Sequence, residues 1–113
     1  MAVIPGKKNF TVQRRADFPL RLTFKDSTGS AINLTGFTVA AQVYDDSRTT
    51  KYADFTVAYT NRTGGIVDIS LSDTDTANFT LDILKYDVLL TDGSGNKEYY
   101  LEGTLFISEG YTA

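Results

Sequence analysis

The chain has 113 residues, of which 42% are hydrophobic and 22% charged, and it contains neither His nor Cys. That length suits one domain, and the composition argues against a disordered segment and against a membrane protein. Without His and Cys, disulfides, almost all zinc and iron sites and the usual nucleophile–base pairs are excluded, so the sequence predicts neither an enzyme nor a bound cofactor. Apolar runs are too short for a membrane helix or a signal peptide, which predicts synthesis in a cytoplasm and no membrane partner.

The net charge of −3 is unevenly distributed along the chain. Residues 1–25 contain six Lys or Arg and one Asp, whereas the remaining residues contain five Lys or Arg and 13 Asp or Glu. A chain divided in this way can bind nucleic acid through its basic part or pack head to tail against copies of itself. The basic cluster of Lys7, Lys8, Arg14 and Arg15 is accompanied by no helix and no RNA-binding aromatic motif. We therefore expect self-packing and no nucleic-acid partner.

Apolar and polar residues alternate with a period of two along most of the chain, which predicts an all-β protein. In chain order, seven strands are predicted within residues 10–12, 18–25, 37–44, 55–59, 67–71, 84–90 and 99–107. Pro19 places the second of them at a sheet edge or at a bulge. Ser72-Asp-Thr-Asp75 has the form of a capping box and predicts one short helical turn near residues 73–79. Together these elements predict a seven-stranded immunoglobulin-like β-sandwich.

Residues 1–9 are predicted to form an extended N-terminal arm ahead of a single β-sandwich domain of residues 10–113. The opening MAVIPG is apolar and is interrupted by Pro5-Gly6, so it has no strand or helix of its own to bury it. Such a segment either extends onto a neighbouring molecule or is a frayed terminus.

Acidic pairs are the remaining candidates for chemistry. Asp45-Asp46 and Asp73 with Asp75 lie in a predicted loop and a predicted helix cap, where Asp is favoured by local hydrogen bonding. Asp92-x-Ser94-x-Asn96 resembles the start of a calcium loop but lacks the later Glu, and its glycines favour a hairpin turn. No metal site is predicted.

Aromatic residues on the predicted outer face indicate a contact surface. Tyr44, Tyr100 and Phe106 alternate with core positions and would be exposed to water in a monomer. The candidate assembly interface combines these three with residues of the basic segment, namely Ile4, Lys7, Lys8, Arg14 and Arg15. Because Tyr also stacks on sugars, a glycan partner remains open beside a protein partner.

Several motifs occur in the order found in small immunoglobulin-like modules of tailed-bacteriophage virion proteins. They are Phe18-Pro-Leu-Arg-Leu-Thr-Phe-Lys-Asp26, Ile32-Asn-Leu-Thr-Gly-Phe37, Gln42-Val43, Gly65-Ile-Val-Asp-Ile-Ser-Leu71, Asp75-Thr-Ala77, Tyr86-Asp-Val88 and Leu101-Glu-Gly-Thr104. Over residues 10–108 the chain thus resembles the N-terminal domain of phage baseplate upper proteins and related tail-fibre attachment domains. Three of these motifs have an expected role in the fold: Leu34-Thr-Gly-Phe37 turns the chain, Gly103 permits close backbone approach, and Tyr86 packs its ring while its hydroxyl finds a partner.

The resemblance implies a non-enzymatic structural protein of a phage virion, in the tail, the baseplate or the fibre-attachment region. Its partners would be copies of itself in a homo-oligomer and other virion proteins, and its location the virion. A capsid decoration protein is an alternative of the same class, and a carbohydrate-binding adhesion module is an alternative of another class.

Overall fold

Two β-sheets make up the protein in the computed structural model, which describes residues 6–109. The large sheet contains six strands: β1 (Gly6–Lys7), β2 (Phe10–Gln13), β4 (Thr38–Tyr44), β5 (Lys51–Asp54), β8 (Ile83–Thr91) and β9 (Lys97–Ser108). The small sheet contains three: β3 (Phe18–Thr23), β6 (Thr56–Asn61) and β7 (Ile66–Leu71). The prediction of an all-β protein is confirmed.

The order of the large sheet is β1–β9–β8–β4–β5, and β2 also pairs with β9. β1 and β2 follow one another along β9 in parallel, so the six strands occupy five positions across the sheet. In the small sheet the order is β3–β7–β6, with antiparallel pairing throughout. β3 is therefore an edge strand, as Pro19 predicted.

The predicted number of seven strands is wrong, because the structure has nine in its described part. The two additional strands are β1, which has two residues, and β5, which has four. β5 begins and ends with charged residues and pairs with β4 across an irregular register at Val43 and Tyr44. Short edge strands of this kind do not alternate for long enough to be distinguished from a loop.

A single hydrophobic core lies between the two sheets. Its residues are the inward positions of the predicted alternation, such as Val39, Ala41 and Val43 in β4 and Leu84, Val88 and Leu90 in β8, all of them buried. The opposite positions of β4 and β8 point away from the core and form what we call the outer face of the large sheet.

One short helix, α1 (Asp73–Ala77), connects β7 to β8 and confirms the predicted helical turn. Ser72 is its N-cap, and the capping box is complete because the Asp75 side chain also accepts a hydrogen bond from the Ser72 backbone. The buried hydroxyl of Thr76 donates to the carbonyl of Ala16 at 2.8 Å and accepts from its backbone N–H at 3.1 Å. These bonds attach α1 to the turn between β2 and β3.

A β-bulge in β9 changes which tyrosine faces outward. Val88 pairs with Leu101 and Leu89 pairs with Tyr99, so Tyr100 is an extra residue between them. Tyr100 packs against the core with its ring centroid 4.3 Å from that of Phe24, while Tyr99 is 46% exposed. The prediction that Tyr100 lies outward and Tyr99 inward is wrong, because one extra residue reverses the alternation.

The N-terminal segment is attached to the sheet at Lys8. The hydroxyl of Tyr86 donates to the Lys8 carbonyl at 2.6 Å, and the Lys8 N–H donates to the carbonyl of Glu102 at 3.0 Å. A Cβ on Gly103 would lie 1.9 Å from the Lys8 carbonyl oxygen, so only glycine permits this approach. The roles predicted for Gly103 and Tyr86 are confirmed. Of the predicted arm, residues 6–9 run along β9, and residues 1–5 lie outside the described residues.

Candidate binding surface on the outer face of the large sheet

The predicted interface residues do not form one surface. Ile4 lies outside the described residues. Arg14 and Arg15 both pair with Glu109, and the Nε of Arg14 donates to the carbonyl of Phe79 at 2.7 Å. These two basic side chains therefore form ion pairs and a hydrogen bond within the chain.

The remaining predicted residues are distributed over three places. Lys8 lies above the ring of Phe10, with its ammonium 5.6 Å from the ring centroid. Tyr100 packs against the core, as described above. Lys7 and Tyr44 line a groove on the outer face, and Phe106 lies outside it.

The groove crosses the centre of the outer face and has a volume of about 660 Å³. Side chains of β4, β8 and β9 line it together with the N-terminal segment and the β4–β5 loop. Its residues are Lys7, Asn9, Ala40, Gln42, Tyr44, Asp45, Asp46, Arg48, Lys85, Tyr86, Asp87, Leu89, Tyr99, Glu102, Gly103 and Thr104. A volume of this size is within the range of small-ligand sites.

Strand register explains how these side chains meet. Asp87 in β8 lies directly opposite Gln42 in β4 on one side and Glu102 in β9 on the other, and Lys7 in β1 lies opposite Glu102. Side chains at directly opposed positions contact each other across a sheet. Residues from four strands that are far apart in sequence thus form one polar row across the groove.

Asp87 and Glu102 place two carboxylates side by side in this row. Burial raises the pKa of Asp87, the negative charge of Glu102 raises it further, and the nearby Arg48 lowers it. Within residues 6–109, no hydrogen bond reaches the Asp87 side chain. The groove therefore contains a half-buried carboxylate with a raised pKa and no hydrogen bond from the described residues, a combination that makes it a candidate for ligand contact.

The β4–β5 loop forms one wall of the groove. The Asp45 carboxylate accepts hydrogen bonds from the N–H groups of Thr49, at 2.7 Å, and Thr50, at 3.3 Å. Within this loop Arg48 has a φ of 60°, a left-handed conformation that is uncommon for Arg. Its guanidinium carbon lies 5.8 Å from the ring centroid of Tyr44. The loop thus places a cation beside an aromatic ring at the groove edge.

A second feature of the outer face is a group of exposed apolar residues at the end of the sheet where β8 begins. Ile83 and Phe106 are directly opposed across β8 and β9 and are 51% and 44% exposed, and Leu81, two residues before Ile83, is 44% exposed. We call these three residues the apolar patch. Exposed apolar residues that adjoin one another are typical of protein contact surfaces.

Of the acidic residues considered for chemistry, Asp73, Asp75 and Asp92 have structural roles. Asp73 and Asp75 lie in the first turn of α1. The Asp92 carboxylate accepts from the N–H groups of Ser94 and Asn96, each at 2.9 Å, which closes the β8–β9 turn. In the described range, no group of three or more Asp or Glu is arranged to bind a metal, and the one helix is far too short to cross a membrane.

Comparison with known proteins adds no family assignment. No protein-family model matches the chain, and a search of curated proteins returned no match.

The sequence predicted Tyr44 and Phe106 on the outer face and Lys7 in the candidate interface. It did not indicate Tyr99, Asp87 or Glu102, nor that Leu81 and Ile83 are exposed near Phe106. Asp87 alternates with Tyr86 and Val88, so its outward direction is visible in the sequence. Its position beside Glu102 depends on the register between β8 and β9, which the sequence does not specify.

Proposed function

We propose that this chain is a non-enzymatic structural protein of a tailed-phage virion that acts by protein–protein assembly in the tail, the baseplate or the fibre-attachment region. The apolar patch is the observation on which this proposal rests. Ile83 and Phe106 are directly opposed, Leu81 lies two residues before Ile83, and all three are large and exposed, so their contact with water is unfavourable. Burial against another protein chain removes this cost.

The strand order supports an immunoglobulin-like assignment within this proposal. The series β9–β8–β4–β5 corresponds to strands G, F, C and C′ of an immunoglobulin-like sandwich, and β3–β7–β6 corresponds to B, E and D. The motif order that resembles phage baseplate upper proteins covers the same strands. Both agree with a module that virions use in repeated copies.

Apolar contacts rather than basic ones dominate the proposed interface. Arg14 and Arg15 pair with Glu109, and Arg21 pairs with Asp68. Since internal carboxylates already neutralise these cations, a head-to-tail contact with acidic residues of another copy gains little from them. The side chains of the apolar patch are exposed in a single copy, and a symmetric oligomer that used the patch in each contact would bury it in every copy.

The oligomeric state and the composition of purified particles test this proposal. We expect the protein to be present in purified virions and to self-associate in sedimentation equilibrium. Phe106→Glu should weaken association by at least about tenfold, because it places a charge in the contact. Thr38→Glu, on the exposed far end of the same face, should leave association unchanged.

Two results together would overturn the proposal: a wild-type monomer at micromolar concentration and absence of the protein from purified particles. Equal association of the wild type and Phe106→Glu would reject the apolar patch as the contact surface. A particle reconstruction then distinguishes tail from shell, since density on the capsid surface would assign a decoration protein.

A further inference from the structure

We infer that the groove on the outer face is a binding site for a neutral oligosaccharide. This inference is independent of the assembly proposal, because the groove and the apolar patch are separate parts of the face. It depends on three properties of the groove: the positions of its aromatic rings, its hydrogen-bonding groups and its charge balance.

Two tyrosines lie at opposite corners of the groove. Tyr44 is paired with Lys85 and Tyr99 with Leu89, on the two strands that flank β8. With strands about 4.8 Å apart and about 3.4 Å per residue, their Cα atoms are separated by about 17 Å along a diagonal. Aromatic rings stack on the C–H faces of sugar rings, and this separation suits a chain of several sugar units rather than one.

Hydrogen-bonding groups occupy the space between the two tyrosines. Gln42, Asp87 and Glu102 form the polar row across the groove floor, and the Asp87 carboxylate receives no hydrogen bond from residues 6–109. A sugar hydroxyl can donate to such a carboxylate and also accept from an amide or ammonium group. The Gln42 Nε2 already donates to the Asp54 carboxylate at 2.8 Å, which leaves its second N–H for a sugar hydroxyl beside the carboxylate acceptors of the row.

Charge balance favours a neutral ligand. Three cations, Lys7, Arg48 and Lys85, and four carboxylates, Asp45, Asp46, Asp87 and Glu102, line the groove. Lys85 already lies 4.0 Å from Asp46, and its Nζ donates to the Thr104 hydroxyl at 2.8 Å. The two carboxylates of the central row repel an acidic sugar, whereas the cations around them reduce attraction for a basic ligand.

The test is to probe a glycan array with the intact protein and then to measure the affinity of the neutral oligosaccharides that bind by titration calorimetry. The array includes di- to hexasaccharides of glucose, galactose, mannose and N-acetylglucosamine, the corresponding monosaccharides and acidic oligosaccharides. A lysine-rich peptide is titrated in parallel. We expect saturable binding of at least one neutral oligosaccharide, with weaker binding of its monosaccharide.

Matched variants identify the site. Tyr99→Ala and Asp87→Ala should each weaken oligosaccharide binding by at least about tenfold. Phe106→Ala is the control, since it removes an equally exposed aromatic ring from the same strand outside the groove and should leave the affinity unchanged. Circular dichroism of each variant separates loss of binding from loss of fold.

Failure of this inference is distinguishable from failure of the assembly proposal. Binding of acidic sugars or of the lysine-rich peptide alone, no sugar binding at all, or binding that neither Tyr99→Ala nor Asp87→Ala affects would overturn the oligosaccharide site. None of these results changes the expected effect of Phe106→Glu on association.

Discussion

Asp68 on the outer face of the small sheet and Asp87 on the outer face of the large sheet have contrasting surroundings. On the small sheet, Arg21 and Asp68 are directly opposed and form two hydrogen bonds of 2.9 and 3.1 Å, and the Thr60 hydroxyl also donates to Asp68. On the large sheet, Asp87 lies opposite Glu102, a residue of like charge. Arg21 and Thr60 form hydrogen bonds to the carboxylate of Asp68, whereas Asp87 is half-buried beside a like charge, and the nearby Arg48 offsets the repulsion from Glu102 but not the cost of burial.

This difference indicates which face is a binding surface. A face whose polar groups are satisfied internally gains nothing from a ligand at those groups. In the groove, the Asp87 carboxylate can accept hydrogen bonds from a ligand, and the three side chains of the apolar patch can be buried by another molecule. Proteins retain such unfavourable arrangements mainly at functional sites. The large sheet is therefore the face on which we base both proposals.

Gly103→Ala is the strongest test of how the large sheet is built. The new Cβ would lie 1.9 Å from the Lys8 carbonyl oxygen, so the N-terminal segment that supplies Lys7 and Asn9 to the groove must move. We expect a loss of about 1–3 kcal/mol in the free energy of unfolding, measured by urea denaturation. Gly93→Ala is the control, because its Cβ would meet only the Gly36 carbonyl at 3.7 Å. Equal denaturation midpoints for the two variants would contradict the structure at Lys8.

Asp87→Asn tests whether the central carboxylate destabilises the fold. Burial and Glu102 raise the pKa of Asp87 in the folded state, so folding at neutral pH is opposed by the ionised form, and stability rises as the pH falls through that pKa. We expect the variant to be more stable than the wild type at neutral pH. The difference should vanish below the ordinary Asp pKa of about 3.9.

Urea midpoints across this pH range measure the effect of Asp87. Glu102→Gln provides the control, since removal of the neighbouring negative charge should lower the pKa of Asp87 in an NMR titration. A variant less stable than the wild type at neutral pH would mean that the attraction of Arg48 for Asp87 outweighs the costs of burial and of Glu102.

Asp68→Asn should change the free energy of unfolding least of the three substitutions, and it should destabilise the protein where Asp87→Asn stabilises it. Hydrogen bonds from Arg21 and Thr60 lower the pKa of Asp68, so its contribution to stability is present above the ordinary Asp pKa and is lost as the pH falls through the lowered one. The variant should be slightly less stable at neutral pH, and added salt should reduce the difference because the pair is exposed. A loss of stability as large as that of Gly103→Ala would contradict the expectation that the Arg21–Asp68 pair contributes little to the free energy of unfolding.

Local patterns in the sequence were sufficient for elements that depend on neighbouring residues. The capping box from Ser72 to Asp75 formed as predicted, as did the Leu34 to Phe37 turn, in which Gly36 has a φ of 82° and the Phe37 N–H donates to the Leu34 carbonyl at 2.9 Å. Pro19 also correctly marked an edge strand. These features are decided within a few residues, so a single sequence contains the information they require.

Features that depend on distant pairing were not predictable in the same way. The bulge at Tyr100 is set by the pairing of β9 with β8, which continues on both sides of this one extra residue. The Tyr100 hydroxyl accepts a hydrogen bond from the Lys25 N–H at 3.0 Å. β5 forms because β4 offers it a free edge. Neither partner is visible from the local pattern of β9 or β5.

The sequence by itself determined the all-β class, the core positions and the helical turn of residues 73–77, because period-two alternation and caps are local properties of the chain. Only the tertiary structure decided that Tyr99 rather than Tyr100 faces outward, that Arg14 and Arg15 are paired within the chain, and that Asp87 and Glu102 meet in one groove. The physical reason is register: a shift of one residue between β8 and β9 moves every following side chain to the other face, and that shift is set by pairing between strands rather than within them.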